Sequence, residues 1–137
     1  MKKTSRQRAD TAIRISSADY ERLADLAEAV AGRTPQIAET LLQEIERAAV
    51  VPAGEMPAGI VTMNAEVTFR DEHTGKVQTV RLVYPGEADI EAGRVSVLTP
   101  IGTALLGLSE GQRIGWQTRG GEARELTVVS VRTTPGA

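Results

Sequence analysis

The chain has 137 residues, 41% of them hydrophobic and 25% charged, with a formal net charge of −2. That length holds one compact domain, or one domain with an appendage, and the charge supplies no global basic field for nucleic acid. The absence of cysteine excludes a disulfide framework, a thiol nucleophile and any cysteine-based metal site, and a single histidine, His73, excludes paired-histidine metal centres.

No stretch approaches the roughly 18 to 20 apolar residues of a membrane span, and no apolar run follows Met1-Lys2-Lys3 as a signal peptide requires. These features predict a soluble, cytoplasmic protein with no membrane partner. Only Tyr20, Phe69, Tyr84 and Trp116 are aromatic. Base-stacking platforms and ring-lined pockets need more.

Residues 1–10 carry four basic side chains and almost nothing apolar, which predicts a flexible tail. Residues 11–50 read as an antiparallel helical hairpin, a short coiled coil. Ser16 or Ser17 caps the first helix, and Tyr20, Leu23, Ala24, Ala27, Val30 and Ala31 recur at helical spacing until Gly32. Thr34-Pro35 opens the second, with threonine as N-cap and proline at the first helical position. Ile37, Leu41, Leu42, Ile45, Ala48 and Ala49 form its apolar stripe. The connection is so short that the two helices must pack against each other.

Residues 51–60 hold two prolines and two glycines and read as a linker. Residues 61–134 read as a β-rich domain. Val67 and Phe69 alternate with polar neighbours, Asp71 to Lys76 form a turn, and Val77 to Val83 make a second strand. Val95 and Val97 mark a third. Thr99-Pro100 repeats the cap-plus-proline signature before a short helix, Ile101 to Leu106, ended by Gly107. Arg113 to Thr118 and Glu125 to Val131 are two more strands, joined across Gly120-Gly121. The expected fold class is α+β: a short helical hairpin followed by an antiparallel sheet of about five strands with one short helix.

Catalytic constellations are hard to find. No glycine-rich phosphate loop lies between a strand and a helix, and no nucleophile-elbow pattern surrounds Ser109. His73 beside Asp71 resembles an acid–base pair, but a turn open to water holds no geometry for catalysis. Asp71, Glu72, Glu87, Asp89 and Glu91 lack the spacing of a calcium loop. The expectation is no catalytic residue, no metal and no cofactor.

The run Val97-Leu98-Thr99-Pro100-Ile101-Gly102-Thr103-Ala104-Leu105-Leu106-Gly107 stands out. It places apolar groups where a strand hands over to a helix, with Pro100 and Ile101 at the helix start. Such a segment either caps the fold or offers an apolar knob to a protein partner.

Val95 to Gln112, with that run at its centre, resembles the strand–"SPIGxALLG"–turn signature of the C-terminal domain of GreA/GreB transcription elongation factors. Pro57 to Val67 and Leu82-Val83-Tyr84-Pro85 agree with it. Within that superfamily the sequence is similar to the Rnk group, regulators of nucleoside diphosphate kinase. The resemblance covers about residues 55–132 by motif and residues 12–50 by architecture. It implies an FKBP-like sheet domain that docks on RNA polymerase near the secondary channel. The docking surface it implies is Leu98, Thr99, Pro100 and Ile101, with Thr103 beside them. Thr99 stands where the family often has Ser or Asn, which keeps the cap.

Gre factors also use acidic residues at the tip of a long coiled coil to help hold a metal ion for transcript cleavage. Here the predicted hairpin is short, and its tip, built on Gly32, Arg33 and Thr34, carries no carboxylate. The nearest acids, Glu28 and Glu39, lie about one turn down each helix. The resemblance therefore implies a monomeric polymerase-binding regulator that competes with Gre factors without stimulating cleavage. Its link to nucleoside diphosphate kinase is direct or indirect, and it makes no direct nucleic-acid contact.

A rival reading comes from Thr11-Ala12-Ile13-Arg14-Ile15-Ser16, followed by helix, turn and helix. That order resembles a ribbon-helix-helix unit, in which residues 11–49 form a DNA-binding dimer through a shared two-stranded ribbon. Against it, residues 1–50 carry eight basic and eight acidic groups, a net charge of zero. Prolyl isomerisation is a third reading, drawn from the FKBP-like fold alone.

Overall fold

The computed structural model describes residues 12–118 and 120–133. The predicted tail over 1–10 lies outside the described residues. The chain starts with strand β1 (Arg14–Ser16), then helices α1 (Ser17–Val30) and α2 (Pro35–Arg47) and strand β2 (Ala49–Val51). Strands β3 (Glu66–Asp71) and β4 (Val77–Val83), two 3-10 turns, strand β5 (Arg94–Ser96), helix α3 (Pro100–Leu105) and strands β6 (Arg113–Gln117) and β7 (Ala123–Arg132) follow.

The hairpin forms where capping and periodicity place it. The Ser16 hydroxyl accepts the Asp19 amide at 3.1 Å, satisfying one of the free donors of the first turn. Leu23, Ala27 and Val30 of α1 are buried, as are Ala38, Leu41 and Ile45 of α2. Thr34 precedes Pro35 as expected but makes no side-chain cap. Its hydroxyl instead donates back to the Val30 carbonyl at 3.2 Å. The predicted stripe also runs too far, because the helix stops at Arg47 and Ala49 enters β2, exposed.

The ribbon-helix-helix reading is corrected here. β1 pairs in parallel with β2 of the same chain, Ile15 opposite Val50. On its other side the Arg14 amide donates to the Gly107 carbonyl at 3.1 Å. A DNA-binding ribbon needs this strand to pair with a second copy, and both of its edges are engaged within the chain. Ile13 and Ile15 point into the core.

The five-stranded sheet runs β5-β4-β3-β7-β6. The β4–β3, β3–β7 and β7–β6 pairs are antiparallel, whereas β5 pairs in parallel with β4. The expected all-antiparallel sheet is thus mixed. The 3-10 turns Pro85–Glu87 and Ile90–Ala92 carry the chain back, so that β5 runs in the same direction as β4. The predicted linker ends early: Ile60 is buried and bridges Ser109.

One buried cluster joins Ile13, Ile15, Leu23, Leu41 and Ile45 of the N-terminal part to Val61, Val67, Leu82, Leu105, Leu126 and Val128. Burial of such side chains contributes on the order of 2 kcal/mol each. Among the described residues no helix is long and apolar enough to cross a membrane.

Candidate functional site

Helix α3 is built as the residues dictate. The Thr99 hydroxyl accepts the Gly102 amide at 3.0 Å and donates to the Ser96 carbonyl at 2.7 Å. This side chain therefore caps the helix and fastens it to the end of β5. Pro100 occupies the first turn, where its missing N–H leaves no bond unmade. A Cβ at Gly102 would stand 2.1 Å from the Ser96 carbonyl oxygen. Only glycine lets the helix lie this close to the strand.

The sequence-predicted docking residues come together, but they differ in exposure. Leu98, Thr99, Pro100 and Ile101 are half-buried, and Leu98 and Ile101 pack against the core cluster. Thr103 is buried, its hydroxyl donating to the Val97 carbonyl at 2.6 Å. The helix start therefore does not project as a free knob. It offers a low apolar edge, with Thr103 as a support beneath.

That edge borders an open groove of about 1070 Å³ between α2, the start of α3 and the β6–β7 hairpin. Ile37 and Thr40 line it from α2, Leu98 and Pro100 from the α3 start, and Arg113 and Trp116 from β6. The sequence gives no sign that α2 or Trp116 borders a site. Ile37 at helical spacing and a lone tryptophan both read as core from sequence alone.

The charges around this groove are paired. Arg113 meets Glu125 at 2.7 Å, and Arg124 meets Asp71 at 3.0 Å and Glu122 at 3.2 Å. Glu72 accepts the Thr127 hydroxyl and the Arg70 guanidinium. The Thr127 hydroxyl, with Arg70 and Arg113, holds the Glu72 carboxyl below its usual range against partial desolvation. For Asp71, desolvation alone would raise the carboxyl. The amides of His73 and Thr74 and the Arg124 guanidinium outweigh it and lower the group.

Asp71 Oδ1 accepts the backbone amide of His73 at 2.8 Å, so it caps the turn. An acid–base pair needs the imidazole held by that carboxylate, and here the carboxylate is spent on the backbone and on Arg124. Among the described residues no cluster of three or more acidic or histidine side chains is placed to hold a metal ion.

The hairpin tip, Gly32, Arg33 and Thr34, is exposed. The Arg33 and Thr34 amides both donate to the Val30 carbonyl, at 3.1 and 2.8 Å, closing a tight turn. With 14 and 13 residues, the helices reach about 20 Å each.

A second polar cluster joins α1 to the sheet, and sequence reading missed it. Asp19 Oδ2 accepts the Met63 amide at 3.1 Å, and the Arg22 guanidinium lies 4.1 Å from the centre of the Tyr84 ring. Burial, with Asp19 nearby, pushes the Tyr84 hydroxyl up to about 12 although Arg22 opposes it. The aspartate sits in an ordinary first-turn position, and its partner is 44 residues away.

Comparison with known proteins matches these parts one by one. Residues 56–133 match the family model described as "Transcription elongation factor, GreA/GreB, C-term", and residues 11–51 match "Rnk N-terminus". The chain is 39% identical over 123 residues to the "Regulator of nucleoside diphosphate kinase" of Escherichia coli (strain K12), covering 90% of each protein. It is 33% identical over 116 residues to "Transcription elongation factor GreA" of Syntrophobacter fumaroxidans, covering 85% of this chain and 71% of that one. The structure of a "Prokaryotic transcription elongation factor GreA/GreB from Nitrosomonas europaea" superposes with a TM-score of 0.71 at 39% identity, over 88% of this chain and 98% of that one. These relatives are named regulators and transcription factors, not enzymes. With a matching sheet domain behind a matching N-terminal hairpin, the chain belongs to the GreA/GreB transcription elongation factor family, among the members with an Rnk-type N-terminus.

Proposed function

We propose that this protein is a non-enzymatic transcription regulator that binds RNA polymerase near its secondary channel. Docking uses Leu98, Thr99, Pro100 and Ile101, with Thr103 holding the helix start from below. The observation that carries the reading is the apolar edge at the start of α3, half-buried beside an open groove. Side chains already ordered by packing lose little entropy when a partner covers them, which suits a reversible contact of modest area.

The hairpin enters this reading as an inert probe. Its tip exposes Arg33 and no carboxylate, so it offers no oxygen pair to a catalytic magnesium ion. The protein would occupy the docking site without stimulating cleavage and would compete with Gre factors for it. An effect on nucleoside diphosphate kinase, suggested by the relatives' name alone, then follows indirectly from altered transcription.

The test is binding of the purified chain to core RNA polymerase, with a Gre factor as competitor. Displacement by the competitor is the expected result. No binding at micromolar concentration overturns the reading.

A further inference from the structure

We infer that Gly107 is a positioning residue: it fixes the helical hairpin at one angle to the segment Thr99–Ile101, so that hairpin and sheet move as one rigid body. The Pro- and Gly-rich stretch 51–60 reads from sequence as a linker between the two parts. Three ties bypass that stretch.

The first tie is the turn that ends α3. Gly107 has φ of 81°, which only glycine adopts at no steric cost. Its carbonyl accepts the Arg14 amide at 3.1 Å, and its own amide donates to the Val61 carbonyl at 2.9 Å. A Cβ at this position would stand 2.8 Å from Ile13 Cβ and 3.1 Å from the Arg14 carbonyl oxygen. The backbone of β1 is thus seated closer to residue 107 than any side chain permits. The second tie is Gln112, whose Nε2 donates to the Ala12 carbonyl at 3.3 Å while its Oε1 accepts the Ser109 amide at 2.7 Å. The third spans the linker itself. Asp19 holds the amide of Met63, beyond the end of that stretch, at 3.1 Å.

Beneath these bonds Ile13 and Ile15 share one buried cluster with Leu105 and Leu106. Swinging the hairpin would expose that cluster, and interfaces packed this way adopt discrete positions instead of bending continuously. The geometry has a consequence that rests on the proposed polymerase docking. Thr99 caps one end of α3, Gly107 lies just past the other, and the helix has six residues, about 9 Å. A partner held at one end of this short strut meets the hairpin tip at one set place.

The chain has no cysteine, so two introduced thiols can be spin-labelled uniquely. Labels at Ala29→Cys on α1 and Glu91→Cys beside β5 should give a single narrow distance distribution in the full-length protein. A broad or two-peaked distribution overturns the inference. Gly107→Ala in the same background should shift or broaden the peak while Trp116 fluorescence still melts cooperatively. An unchanged peak removes the role assigned to Gly107. Should that variant fail to fold, hydrogen exchange on the unsubstituted chain decides. The Arg14 amide should be protected to within about tenfold of the Leu82 amide, and exchange about a hundredfold faster would show the hairpin detaching on its own. None of these measurements involves polymerase. A failure to bind polymerase would sink the docking reading and leave the rigid-body result standing.

Discussion

The backbone amide of Met63 donates to Oδ2 of Asp19 across 3.1 Å, tying the first turn of α1 to the segment that enters the sheet. Desolvation by burial raises the Asp19 carboxyl above its ordinary value of 3.8, although the Met63 amide, Arg22 and Ser16 oppose the shift. The native state therefore holds this proton more tightly than the unfolded chain does. Stability falls as pH rises through the window between 3.8 and the raised native value, and the full cost is present above it.

Asp19→Asn keeps an acceptor for Met63 and removes the buried charge. It should match or exceed the unsubstituted protein in stability at pH 7, with its advantage shrinking as pH falls from the raised native value toward 3.8 and absent below that. Asp19→Ala leaves a buried amide unsatisfied and should cost about 1 to 3 kcal/mol. Urea denaturation of both variants across pH separates the two effects. A loss in the asparagine variant equal to that of alanine would show that the charge itself is needed.

Gly102 reports how tightly α3 is laid on β5. In Gly102→Ala the new methyl would stand 2.1 Å from the Ser96 carbonyl oxygen and 2.9 Å from Thr99 Oγ1. The nearest obstacle is backbone, which cannot step aside as a side-chain end can. The expected loss is about 3 kcal/mol or more, read from the denaturation midpoint by Trp116 fluorescence. Thr99→Ala, which removes the cap and leaves the close contact intact, should cost about 1 kcal/mol.

Pro100 and Ile101 should separate binding from stability. Pro100 borders the groove and stands in the first turn of α3, where an acidic replacement suits the helix dipole. Pro100→Glu is expected to melt near the parent temperature while weakening polymerase binding about tenfold or more. Ile101 also packs on the core, so Ile101→Asp should lose both binding and stability. Unaltered polymerase affinity in Pro100→Glu would move the docking surface elsewhere.

Carboxylates placed at the tip should not create a cleavage factor. Arg33→Asp with Thr34→Glu supplies two acids at an exposed turn. The helices behind them reach only about 20 Å, which we expect to be too short to deliver those acids to the catalytic metal. A transcript-cleavage assay with stalled complexes should show no gain over the parent. Measurable stimulation would mean that the length of the hairpin is not what limits it.

Much of the architecture was legible because its causes are local. Ser16 caps a helix within three residues of itself, Thr99-Pro100 starts another, and Gly107 ends it. The turn between β3 and β4 follows from Asp71 accepting amides two and three residues on. Those interactions lie within one turn of chain, and residue type alone selects them. The apolar edge was legible for the same reason, as a strand-to-helix handover in one continuous run.

What residue type could not decide was which distant backbone each element would meet. Arg14–Ser16 has the pattern of a ribbon strand, yet it pairs with Ala49–Val51 and rests on Gly107, because burying Ile13 and Ile15 under α3 is available within one chain. The parallel setting of β5, the Asp19–Met63 bond and the groove between α2 and Trp116 arise in the same way. Each joins segments whose separation along the chain carries no periodic signal. Residue type and local spacing set the Ser16 and Thr99 caps, the turns, the hairpin and its carboxylate-free tip. The tertiary structure alone decided the mixed sheet and the seating of the hairpin, since a shared core forms only when distant apolar faces find each other.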